Sequence, residues 1–261
     1  MVVRLRDSAK RALKGVLPAE VGTWVTRQRR KYRLQRVRAG TVKFGDLRRV
    51  TPISPVFGFE RGRPIDRYYI EAFLDENRVD VKGRVLELGD PSYTKRFGDD
   101  RVTQSDVLHV VAGNPMATIV ADLTQAEHVP SDAFDCIIFT QSLQMIYDMR
   151  AALRTLHRIL KPGGVLLVTS AGIAKIGRRL GRDDWGEYWH LTTQSMQALL
   201  AETFPRADVR VGSRGNVLAA TAFLHGLATE ELSAEELEHV DPDFEVLVTA
   251  RAQKAARPAA G

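Results

Sequence analysis

The sequence predicts an α/β fold of the doubly wound kind, preceded by a basic, helical N-terminal extension. Three observations predict it. Val85, Leu86 and Leu88 form an apolar run of strand length that breaks at Gly89 and gives way to a helix start at Asp90-Pro91. Further short apolar runs at 117–120, 134–140 and 165–170 alternate with stretches of helical spacing. Charge is also segregated: residues 1–50 hold 15 Lys+Arg against 3 Asp+Glu, whereas the rest of the chain holds 23 against 29.

Residues 1–40 carry two expected helices, split near Pro18, and the second sets Trp24, Val25, Tyr32 and Leu34 among arginines. That charge suits an anionic partner: acidic lipid, nucleic acid or an acidic protein face. A solvated basic arm packing its few apolar residues on the body accounts for it equally. Residues 41–64 are irregular, punctuated by Pro52, Pro55, Gly58, Gly62 and Pro64. A helix is expected over Ile65–Asn77, with Ile65, Tyr68, Tyr69, Ala72 and Phe73 on one face. Its polar members Asp66, Arg67 and Glu71 either reach the ligand crevice or face water.

Gly89 supplies a tight turn or a close backbone approach, and Gly98 suits the end of the following helix. The second strand is expected over Arg101–Ser105, ending at Asp106, and the third over Ala117–Val120, before Asp122-Leu123. A fourth runs to Thr140 and is followed by Gln141. Helical spacing continues from Met145 to Leu160, stops at the Lys161–Gly164 turn, and a fifth strand covers Val165–Ser170. Beyond lie a helix at Ser195–Phe204, a strand at Ala207–Val211 and a last strand at Phe244–Ala250. Residues 212–243 carry no clear pattern. The plan is an extension over 1–50, a body over 51–252 and a tail over 253–261.

The turn after the first strand selects its ligand by charge. A pyrophosphate cofactor wants Gly-x-Gly-x-x-Gly, but Pro91 and Thr94 hold the second and third glycine positions. Glu87 and Asp90 bring two carboxylates to the turn, which suit a cation such as the sulfonium and ammonium of S-adenosylmethionine (SAM). A plain turn with solvated acids is also compatible. Asp106 stands 19 residues after Glu87, where an acid accepts hydrogen bonds from ribose hydroxyls. The chain is 44% hydrophobic, enough for a sizeable core, and its single Cys136 excludes an internal disulfide and a cysteine-rich metal site. The six histidines are scattered, so no metal cluster is expected. No apolar run reaches transmembrane length, which suits a cytoplasmic protein, and the basic segment allows a place at the inner membrane face.

In order and spacing, these pieces resemble the class I SAM-dependent methyltransferases, especially the small-molecule branch. The resemblance covers about Ile65–Ala250. It rests on Val-Leu-Glu-Leu-Gly-Asp at 85–90, Asp106, Ala-Asp-Leu at 121–123, Phe-Asp-Cys-Ile-Ile at 134–138 and Leu-Lys-Pro-Gly-Gly-Val-Leu-Leu at 160–167. Gly62-Arg-Pro-Ile-Asp-Arg-Tyr-Tyr also looks like a subgroup of bacterial glycan-biosynthesis settings, which brings Arg67 and Tyr68 to the cofactor side. The resemblance implies a seven-stranded Rossmann-like sheet with the last strand antiparallel, and SAM as cofactor. By that likeness Gly89 and Asp90 form the turn under the methionine part, with Glu87 near its ammonium. Asp106 takes the ribose, Asp122 and Leu123 the adenine, and Gln141 lies near the methionine and the acceptor. Family members carry further glycines where this chain has Pro91 and Tyr93, which stiffens the loop and removes one amide donor.

The loop after the fifth strand is aromatic and acidic, with Trp185, Tyr188 and Trp189 beside Asp183, Asp184 and Glu187. Flat apolar faces and hydroxyl acceptors suit a polyhydroxylated acceptor. His190 is the expected general base, since a neutral imidazole is available near pH 7. Three functions fit: O-methylation of a small molecule or glycan, methylation of RNA, and a catalytically silent partner subunit with the SAM fold.

Overall fold

The computed structural model describes residues 40–177, 186–204 and 208–256. The helices expected over the first 39 residues, and Asp183, Asp184 and Trp185 of the acceptor loop, lie outside the described residues. The chain forms two compact units, Met1–Arg49 and Val50–Gly261. In the first, a short turn of 3₁₀ helix covers Gly45–Leu47, and the Arg48 guanidinium lies over the Phe44 ring at 5.7 Å.

The second unit is built on seven strands: β1 (Gly83–Leu88), β2 (Val102–His109), β3 (Ile119–Val120), β4 (Phe134–Thr140), β5 (Leu160–Ala171), β6 (Asp208–Arg214) and β7 (Leu247–Gln253). They form one sheet in the order β3-β2-β1-β4-β5-β7-β6. The first five pair in parallel, and β7 inserts antiparallel between β5 and β6. Strand order reverses between β1 and β4, the place where doubly wound sheets open a crevice.

Among the described residues six helices cover the sheet: α1 (Ile65–Glu76), α2 (Ser92–Gly98), α3 (Met149–Ile159), α4 (Thr193–Thr203), α5 (Val217–His225) and α6 (Ala234–Glu238). The period of two in each strand sorts the core into two layers. Leu86, Ile137 and Leu166 point to one layer with Leu153, Leu156 and Leu200. Their neighbours Val85, Ile138 and Leu167 point to the other, with Ile70, Phe73 and Phe223. Full burial of such side chains stabilises by ~1.5–3 kcal/mol each before entropy is counted.

Several boundaries move from the expected ones, each for a local reason. β2 runs three residues past Asp106, because Val107 and Leu108 are buried and the polar Asp106 has partners inside the sheet. Lys161–Gly164, expected as a turn, belongs to β5, and a Cβ at Gly164 would meet the Lys161 and Phe134 carbonyls at 2.9 and 3.0 Å. The helical stretch from Met145 divides into a 3₁₀ turn (Leu143–Met145) and α3, which Asp148 caps by accepting from the Ala151 amide. β7 reaches Gln253, and Lys254 holds the Asp132 carboxylate at 2.7 Å, so order continues into the expected tail. Within 212–243, α5 is capped by Asn216 and stopped by Gly226 at φ 69°, where the left-handed backbone favours glycine. Among the described residues no helix is long and apolar enough to cross a membrane.

Candidate active site

Beyond the carboxyl ends of β1, β2 and β4 lies a cavity of about 650 Å³. Gly89, just after β1, takes φ 82°, and a Cβ built on it meets nothing within 4 Å, so its backbone faces open space. Its amide donates to the Leu108 carbonyl and its own carbonyl accepts from Asn114 Nδ2 at 2.6 Å, which fixes the turn. Leu88, Leu108, Leu123, Met145 and Ile146 supply an apolar wall, and Asp122 and Asp148 supply carboxylates. Asp122 Oδ1 accepts from the Thr124 amide and hydroxyl, both at 2.8 Å, which holds the loop after β3. No Lys or Arg lines this cavity among the described residues.

A second cavity of about 200 Å³ opens beside the first, and Met145 and Gly177 belong to both walls. Its polar lining is Asp66, Arg67, Gln141, Gln144, Lys175 and Glu187, set among Phe57, Phe59 and Phe223. Gln141 takes φ 50°, a strained backbone for a non-glycine residue, and its amide donates to the Thr169 carbonyl at 3.0 Å. Its Oε1 accepts from Gln144 Nε2 at 2.7 Å, and Gln144 Oε1 accepts from the Ser170 hydroxyl at 3.0 Å. Burial pushes the Lys175 amine below its ordinary range, and its Nζ rests 3.6 Å from the centre of the Phe57 ring.

The expected site residues separate accordingly. Gly89, Asp122 and Leu123 line the large cavity, and Arg67 and Gln141 line the small one. Arg67 Nη1 also reaches the Tyr93 hydroxyl at 3.4 Å, tying α1 to the first turn of α2. Tyr68 lines neither cavity: its hydroxyl meets Glu238 at 3.3 Å and the Arg63 guanidinium covers its ring. Asp90 caps the turn by accepting from the Ser92 amide at 2.9 Å.

Asp106 lines neither cavity. It lies inside β2, side chain 7% exposed, with Arg84 Nε at 2.7 Å, the Thr118 hydroxyl at 2.9 Å and Gln104 Nε2 at 3.1 Å. The carboxyl edge of β2, where a ribose acceptor was expected, belongs to His109, which lines the large cavity. A strand ending three residues later would have revealed it, but the polar Thr-Gln-Ser-Asp run hid that end. His190 lines neither cavity either. Its Nε2 holds Glu187 Oε1 at 3.2 Å, and Glu187, side chain 4% exposed, is the member on the cavity wall. Glu187 also accepts from the Gly177 amide.

Glu87 likewise lies within its strand, 3% exposed, and its carboxylate accepts from the Tyr93 and Thr94 amides at 3.0 and 2.7 Å. It braces the start of α2 beneath the turn. Burial raises its pKa from 4.5 to about 7, against the pull of those amides. Between these values the folded chain keeps a proton that the unfolded chain has released, so stability falls as pH rises from about 4.5 to 7. The loss amounts to about 3 kcal/mol for this group. Melting temperatures from pH 5 to 8 should fall in the wild type relative to Glu87→Gln, and parallel curves would refute the assignment.

Residues 67–206, over half of the chain, match a family model described as "Methyltransferase domain". The ubiquinone/menaquinone biosynthesis C-methyltransferase UbiE of Pectobacterium carotovorum is 51% identical over 39 residues, which span 15% of this chain and only 16% of that relative. Among solved structures, an S-adenosylmethionine-dependent methyltransferase from Mesorhizobium loti is 20% identical, covering 73% of this chain and 98% of that one (TM-score 0.46). The [4+2]-cyclase SpnF is 19% identical, covering 73% and 81% (TM-score 0.47). The chain belongs to the methyltransferase-domain family, in the class I SAM-dependent group that its motifs resemble.

Proposed function

We propose that this chain transfers a methyl group from SAM to a hydroxyl of a small-molecule or glycan acceptor. The observation that carries the reading is the large cavity at the carboxyl edge, open over Gly89 and free of Lys and Arg among the described residues. A pyrophosphate ligand needs cations or bare amides in such a place, and a sulfonium ligand needs neither. The apolar wall and the two carboxylates fit an adenosine with a cationic tail. Asp122 and Leu123 would hold the adenine, His109 the ribose, and the Gly89 turn the amino-acid end. Bound there, SAM supplies an activated methyl group.

The chain's own work is then alignment, exclusion of water and custody of a proton. Met145, shared by both cavities, and Tyr188 wall off the crossing point. Glu187 takes up a proton at the small cavity, and His190 on its far oxygen receives or shares it. Calorimetric titration with SAM tests the reading, with Gly89→Val as control. A β-branched residue at φ 82° costs ~1–2 kcal/mol and its side chain enters the cavity, so affinity should drop at least tenfold. Binding of NAD in place of SAM would end the proposal.

A further inference from the structure

Asp66 stands in the first turn of α1, on the wall of the small cavity. Its Oδ1 is shut off from solvent and has no hydrogen-bond partner among the described residues. Native folds leave few such groups unsatisfied, and one on a residue that lines a cavity is a place for a ligand donor once the side chain turns. Burial raises its pKa above the ordinary range, with the neighbouring Arg67 guanidinium working the other way.

The rest of the wall narrows the ligand. The cavity of about 200 Å³ equals roughly seven water volumes, room for one six-membered ring with its substituents. Its charged lining carries both signs, Asp66 and Glu187 with Arg67 and Lys175, so the wall has no net charge to select a charged ligand. Phe57 and Phe223, whose ring centres lie 5.8 Å apart, give flat apolar surface for C–H faces. Gln141 and Gln144 add amides that both donate and accept.

Resting on the methyltransferase reading, we infer that this cavity is the acceptor site, that it takes one uncharged polyhydroxylated ring, and that Asp66 accepts a hydrogen bond from a ring hydroxyl. Asp66 is thereby a recognition residue of the fold's entrance helix, distinct from the Glu187–His190 pair. An unsatisfied carboxylate kept for a ligand should also be dispensable for folding.

The test combines saturation-transfer NMR with calorimetry. The probes are the methyl glycosides of glucose, galactose and mannose, with benzoate as a charged ring of like size. At least one glycoside should show transfer from the wild-type protein and benzoate should not. Asp66→Ala should lose that signal at least fivefold, keep SAM affinity within about twofold and melt no lower than the wild type. Asp66→Asn, whose side-chain oxygen still accepts, should keep more of the signal than Asp66→Ala. An undiminished signal in both variants, preference for benzoate, or silence from all three glycosides would each overturn the assignment. Glycoside transfer without SAM binding would keep the cavity assignment and remove the methyltransferase reading instead.

Discussion

Glu187→Gln lowers methyl transfer by ~10²–10⁴ while SAM affinity stays within about twofold. The expectation follows from placement: Glu187 is a buried carboxylate on the small cavity's wall, bonded to His190, and it meets the large cavity through the shared Gly177. Glutamine preserves the size and the bond from the Gly177 amide but cannot take a proton. His190→Ala leaves that carboxylate in place and removes only its partner, so turnover falls less, by ~10-fold, with the pH optimum displaced. Rates from both variants across pH 5–9 decide the order. A His190 variant more damaged than the Glu187 variant would return the base role to the imidazole.

Arg84→Ala costs ~2–3 kcal/mol of stability, because it strips the Asp106 carboxylate of its only cation inside the sheet. The value sits below that of a fully buried pair, since the Arg84 side chain is 32% exposed and Thr118 and Gln104 still donate to Asp106. The guanidinium also lies 4.8 Å from the centre of the Phe134 ring, so packing is lost together with charge. Denaturant titration measures the loss. SAM affinity separates the two ends of β2: Asp106→Ala should destabilise with little change in affinity at a temperature where it is folded, whereas His109→Ala, which also loses a contact to the Val111 carbonyl, should weaken binding about tenfold. The reverse pattern would restore Asp106 as the ribose acceptor.

What was legible in the sequence was whatever a local pattern controls. The apolar run before Gly89, the spacing of Met149, Leu153 and Leu156, and the Asp90-Pro91 turn act over a few residues, and the sheet built from them has seven strands as the resemblance implied. The failures were non-local. Asp106 looked like a strand end because a carboxylate is costly inside a sheet, and Arg84, 22 residues earlier, with Thr118, 12 residues later, makes it tolerable there. Helix α5, Val-Leu-Ala-Ala-Thr-Ala-Phe-Leu-His, lacks the polar face that marks a surface helix, so its period was invisible. Asp66 was on the page as a polar helix residue, but an unpaired oxygen is a property of three dimensions.

The burial of Cys136 carries a consequence for how this fold's breathing can be followed. It is the chain's one thiol, 0% exposed at the centre of β4, and burial raises its pKa further from the thiolate form. No side-chain motion at the surface exposes it; the helix layer that covers this face of the sheet, with Ile70, Phe73 and Phe223, must lift away. A thiol-alkylating reagent added to the native protein therefore acts as a stopwatch for opening of the core, with no engineered label and no competing thiol. Loops around the two cavities can move without starting it.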